Sequence, residues 1–130
     1  MASSDIRVVV VDHRHERRQL MSHVISLAGD DVTVVGYAED PDGAVEAVDR
    51  LAANAVVVEI QLPVARGLET ITALRQARAV LPIVVCTFHD DDDTRLAAIS
   101  SGADAYVIKP MSPRDIYPLL LPRPLVSGRT

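Results

Sequence analysis

Ala55-Val56-Val57-Val58-Glu59-Ile60 is a β-rich apolar run with one carboxylate near its end, leading into the loop Gln61-Leu62-Pro63-Val64-Ala65-Arg66-Gly67. A continuous apolar run bounded by Pro and Gly reads as a strand buried on both faces, the mark of a parallel sheet covered by helices. Four runs of the same kind flank it: Ile6 to Val11, Val32 to Ala38, Pro82 to Phe88, and Asp104 to Ile108. Helical patterns separate them. The first spans about Arg14 to Ala28, with Leu20, Val24, Leu27 and Ala28 on one face at 3/4 spacing. Asp40 caps the second and Pro41 takes its first position, where the missing N–H costs nothing; Val45, Val48 and Leu51 form its stripe.

Leu68, Ile71 and Leu74 or Arg75 mark the third helix, and Leu96 and Ile99 are apolar positions of the fourth. Asp90 to Asp93 cap that fourth helix and favour its positive end, while Gly102 supplies the left-handed residue that closes it. Ser112-Pro113-Arg114-Asp115 reads as a capping box for the last helix. Pro118 lies about six residues further in, where it costs roughly 3 kcal/mol in a helix interior. That helix is expected to be kinked or about two turns long. Strict βα alternation implies right-handed crossovers and a doubly wound α/β fold: a five-stranded parallel sheet in order 2-1-3-4-5, with helices on both faces. One domain at residues 5–121 is expected, with 122–130 as a short tail and no effector domain after it.

Composition narrows the function. Of 130 residues, 48% are hydrophobic and only 3% aromatic, so the core must be aliphatic. A net charge of −5 leaves no basic stripe for nucleic acid, and Arg14, Arg17 and Arg18 read as the solvated face of a helix. The single cysteine, Cys86, excludes an internal disulfide and suits a reducing compartment; its apolar setting makes it a buried, inert thiol. No signal peptide or membrane span is visible, so a soluble, cytoplasmic protein is expected.

In such a sheet, ligands bind at the carboxyl ends of the strands beside the topological switch. That rule selects Asp12, His13, Glu59, Thr87 to His89, and Lys109. Carboxylates, a hydroxyl and an ammonium gathered there are the groups that hold a divalent cation and a phosphoryl group.

These segments, in this order and at these spacings, resemble a bacterial response-regulator receiver domain over about residues 5–121. Ile6 to Asp12 is similar to the family's first strand and the start of its acid pair. Val56 to Pro63, with Gly67-Leu68-Glu69, is similar to the phosphoacceptor strand and its loop. Pro82 to Thr87 and Gly102 to Pro110 resemble the segments carrying the switch hydroxyl, the switch aromatic and the lysine. The resemblance implies a phosphoacceptor at Glu59, phosphoryl-binding Thr87 and Lys109, the switch aromatic Tyr106, and a magnesium site at Asp12, His13 and Glu59. It also implies a cis Lys109-Pro110 peptide and a histidine kinase or other signalling protein as partner. A homodimer through the fourth helix, fifth strand and fifth helix is a further option.

Two positions depart from the family. His13 stands where the second acid of the pair belongs, and Glu59 where the phosphoacceptor aspartate belongs. Imidazole suits magnesium poorly. Glutamate is longer by about 1.5 Å, and misplacing a reacting atom by ~1 Å can cost on the order of a hundredfold in rate. A pseudo-receiver that acts by protein–protein contact, without enzymatic activity and with magnesium binding lost or weak, is therefore the leading expectation. Glu59 is expected to pair with Lys109, holding the domain in one state or merely satisfying two charges. A phosphorylatable regulator is the alternative. Another is a transition-metal-responsive module built on His13, His15 and His89 with Asp12 and Glu59.

Overall fold

The structure, a computed structural model, describes residues 5–122. Apart from Pro122, the expected tail at 122–130 lies outside them. Five strands alternate with five helices: β1 (Ile6–Val11), α1 (His15–Ser26), β2 (Val32–Ala38), α2 (Pro41–Arg50), β3 (Ala55–Val58), α3 (Val64–Ala77), β4 (Ile83–Thr87), α4 (Asp92–Ser101), β5 (Ala105–Ile108) and α5 (Pro113–Leu120). All strand pairs are parallel and the sheet order is β2-β1-β3-β4-β5, as the alternation predicts.

The period-2 alternation of side chains splits each strand between two cores. Val9, Val11, Val56, Val58, Ile83 and Val85 pack with α2 and α3 through residues such as Val48, Ile71 and Leu74. Val8, Val10, Val57, Val84 and Cys86 pack on the opposite face with Met21 and Ile25 of α1 and with Ile116 and Leu120 of α5. All four residues of β3 are buried, which is why its sequence is apolar without alternation.

Several local expectations hold. The Asp40 side chain accepts the Gly43 N–H at 2.7 Å, with Pro41 following it. Asp91 caps α4 by accepting from Thr94, Asp92 and Asp93 fill its first turn, and Gly102 closes it at φ 127°. The Ser112–Asp115 capping box opens α5, which is eight residues long with Pro118 inside it. Lys109-Pro110 is cis, and so is Leu62-Pro63, which the sequence reading did not anticipate.

Three expectations need correction. On α1, Leu20 and Leu27 are exposed; the buried residues are Met21 and Ile25. Met21 and Ile25 follow Arg17 at steps of four, so one helix face carries both the core contacts and an arginine aimed at the strand ends. On α4, Leu96 and Ile99 are exposed and Ala98 is the buried residue; the helix turns its small Ala98 to the sheet, and the larger side chains fall outside that contact. Helix α3 begins at Val64 rather than near Leu68, because Gly67 is buried with its Cα against the Ile60 carbonyl and lets the first turn start early.

Candidate functional site

The backbone fixes the rim before any side chain acts. Asp12, Glu59 and Lys109 each lie one residue beyond a strand, yet their N–H groups still bond to the neighbouring strand: to Ala38, Val11 and Thr87 carbonyls at 3.0, 2.9 and 2.8 Å. Thr87 closes β4 beside them. The four side chains that the sequence selected from separate strands therefore meet at one edge of the sheet.

Glu59 is 4% exposed and fully engaged. Its Oε2 accepts from Thr87 Oγ1 at 2.6 Å and from the Gln61 N–H at 2.9 Å, and its Oε1 accepts from Lys109 Nζ at 3.1 Å. The Lys109 side chain is only 10% exposed. Its ammonium also lies 5.6 Å from the centroid of the Phe88 ring, an attractive cation–aromatic distance. A buried carboxylate is tolerable only when paired and hydrogen-bonded, and Glu59 is both. The expected Glu59–Lys109 pair is present.

Asp12 is 3% exposed, and its cation comes from a residue the sequence reading placed in solvent. Arg17 donates from Nε to Oδ2 and from Nη2 to Oδ1, both at 2.8 Å, in a two-pronged bridge. The Arg14 N–H adds a bond to Oδ1 at 3.0 Å. This pairing holds the Arg17 guanidinium above its ordinary pKa, chiefly through the Asp12 hydrogen bonds. Arg18 donates to the Asp12 carbonyl at 2.9 Å and stacks 5.7 Å from the Tyr37 ring centroid. The solvated-face reading of these arginines is thus corrected for Arg17 and Arg18. The signal was available: a helix starting three residues after Asp12 brings its first turn, with Arg17, back over the strand end.

A hydrogen-bonded relay leaves Glu59 on the other side. Thr87 Oγ1 accepts from the His89 N–H at 3.1 Å, and the His89 carbonyl accepts from Tyr106 Oη at 2.7 Å. The Tyr106 phenol is raised above its usual pKa, mainly by burial, and Arg95 lies 5.4 Å from its ring centroid. The His89 ring sits between Gln61 Nε2 at 3.0 Å and Thr94 Oγ1 at 3.1 Å.

The remaining histidines do not join it. His13 is 41% exposed and has Nδ1 3.8 Å from Asp12 Oδ1. His15 lies 3.5 Å from Arg18. Among the described residues no three or more His, Cys, Asp or Glu side chains cluster so as to hold a metal ion. The donor set is a poor match for the magnesium ion that the resemblance implies: His13 offers an exposed imidazole in place of a carboxylate, and each oxygen of Asp12 and Glu59 already accepts at least one bond from a protein donor. The cavity between Asp12, Glu59 and Lys109 measures about 10 Å³, at the threshold for one water. Cys86 borders it, and burial pushes this thiol up to about 12.

The family model for the response regulator receiver domain matches residues 8–120. Over 113 residues the chain is 29% identical to the nitrate/nitrite response regulator NarL of Escherichia coli K12, covering 87% of this chain and 52% of that protein. It is 34% identical over 114 residues to the response regulator MprA of a Mycobacterium species (strain KMS), covering 85% of this chain and 47% of MprA. The chain thus spans about half the length of these relatives. Among solved structures, a LuxR-family two-component response regulator from an Aurantimonas species superposes with a TM-score of 0.77 at 26% identity, covering 87% of this chain and 80% of that one. The chemotaxis protein CheY4 of Vibrio cholerae shares the fold, with a TM-score of 0.74 at 24% identity over 90% of this chain and 97% of its own. With the strand order of the fold and the family model in agreement, the chain belongs to the response regulator receiver domain family.

Proposed function

We propose that this receiver signals without phosphorylation, by contact with a protein partner, and that Glu59 keeps its rim in one fixed arrangement. The observation that carries the reading is the carboxylate of Glu59, which already draws in Thr87 Oγ1 at 2.6 Å and Lys109 Nζ at 3.1 Å. Those are the groups that the family resemblance assigns to the phosphoryl oxygens. A negative charge made from the chain itself thus stands where a covalent phosphoryl group would be read. Through Thr87 and His89 the same bonds extend to Tyr106. Phosphoryl transfer depends almost entirely on positioning and cation stabilisation, and here both carboxylates are engaged by protein donors.

The partner is a histidine kinase or another signalling protein in the cytoplasm, and the domain catalyses no reaction of its own. Exposed Leu20 and Phe88 line one surface pocket beside the rim with Val24 and Met111, and an apolar surface of this kind favours protein association; Leu96 and Ile99 are exposed on α4 as well. No helix among the described residues is long and apolar enough to cross a membrane. Incubation with a small acyl or amido phosphate donor and Mg²⁺, read by intact mass, is expected to leave the protein unmodified. A phosphoryl adduct mapped to Glu59 overturns the reading.

A further inference from the structure

We propose that Arg17 is the resident cation of the rim, its guanidinium standing on Asp12 where a divalent ion would have to bind, so that the chain itself closes the site to magnesium. The inference rests on the phosphorylation-independent reading above and goes one step further, by naming the residue that replaces the metal.

Geometry carries it. The bridge is two-pronged, with both contacts at 2.8 Å, and the Asp12 side chain is only 4% exposed. The planar fork takes an acceptor position on each oxygen and the Arg14 N–H takes another on Oδ1, which leaves Asp12 a single acceptor position for a hard cation that demands near-ideal octahedral geometry. Charge points the same way. Asp12 and Glu59 contribute two negative charges, Arg17 and Lys109 two positive ones, and the rim closes at neutrality without an ion.

Arg17 is half-buried, with 32% of its side chain exposed, and the two-pronged bridge holds its head group on Asp12. It shares its helix face with Met21 and Ile25, which are 9% and 0% exposed and packed beneath the sheet. Helix rotation is therefore set by core packing, and that rotation aims Arg17 at Asp12. An exposed ion pair between flexible side chains is worth little. Here one partner is buried, and removing the arginine would leave its charge without a counter-ion. With the fork gone, that carboxylate would present a freed edge beside Glu59, one residue beyond β3, to a divalent ion that keeps most of its own waters.

The test compares wild type, Arg17→Met, Arg17→Lys and the control Arg14→Met, titrated with MgCl2 or MnCl2 against NaCl of equal ionic strength. Thermal unfolding and Mn²⁺ binding by electron paramagnetic resonance are both read. Wild type and Arg14→Met are expected to show no divalent-specific change in Tm. Arg17→Met is expected to bind Mn²⁺ at least tenfold more tightly than wild type and to gain ~3 °C or more in saturating metal. Arg17→Lys keeps the charge but loses the fork, so its Mn²⁺ affinity should fall between the two.

The proposal is overturned if wild type itself binds Mn²⁺ with a rise in Tm, or if Arg17→Met binds no more tightly than Arg14→Met. Should Arg17→Met not fold, Arg17→Lys decides alone: affinity equal to wild type refutes the proposal. The two readings fail separately. A phosphoryl adduct formed on wild type without any divalent ion would end phosphorylation independence and leave Arg17 in its role. Tight Mn²⁺ binding to wild type with no adduct would do the reverse.

Discussion

Glu59→Gln keeps the length and shape of the side chain and removes its charge. The glutamate accepts three bonds, two on Oε2 and one on Oε1. A glutamine has one acceptor oxygen, so its NH2 must face either the Lys109 ammonium or the Thr87 and Gln61 donors. Either way two donors oppose each other, and Lys109, with 10% of its side chain exposed, loses its counter-ion. At 3.1 Å and an effective dielectric of ~20, the lost attraction is about 5 kcal/mol before desolvation is counted. Breaking a buried pair by removing one member costs roughly 3–5 kcal/mol in general. The expected loss for Glu59→Gln is therefore ~3 kcal/mol or more, equivalent to a fall in Tm of roughly 10 °C. Urea unfolding of wild type, Glu59→Gln, Lys109→Met and the double variant isolates the pair. The packing of Lys109 against Phe88 is lost in both Lys109 variants and cancels. A coupling of ~2 kcal/mol is expected, with the double variant more stable than the sum of its parts. Additivity to within about 0.5 kcal/mol would refute the claim that the two charges hold each other at the rim.

Gly67→Ala tests the early start of α3. A Cβ there would overlap the Ile60 carbonyl, which is backbone and cannot swing aside, so a loss above ~3 kcal/mol in chemical denaturation is expected; a change below about 1 kcal/mol would contradict the close approach. Cys86, with its pKa pushed up to about 12, should stay unmodified by a thiol reagent at mildly alkaline pH and react once the chain is unfolded in denaturant. Rapid labelling of the native protein would show that the thiol is not sequestered in the core.

The strands, their order and the strand-end carboxylates, hydroxyl and lysine were legible because they depend on short-range signals. Apolar runs of fixed length, Pro and Gly punctuation, and caps such as Asp40 and Ser112 mean much the same wherever they occur in a chain. Glu59, Thr87 and Lys109 could be grouped from the sequence, since a parallel sheet sends every strand end to the same edge.

Tertiary structure decided how the helices rotate, and that rotation decided the electrostatics. On α1 the sequence offers two apolar stripes one residue apart, Leu20 with Val24 and Met21 with Ile25, and periodicity does not separate them. Packing against Val8, Val10 and Ile116 selects the second, which turns Arg17 from solvent onto a buried aspartate. On α4 the same process leaves Leu96 and Ile99 outside and brings Ala98 in, because only a small side chain fits so close to the sheet. The chain's own residue order thus set the fold and gathered the acids, while the three-dimensional packing chose which cation meets each of them.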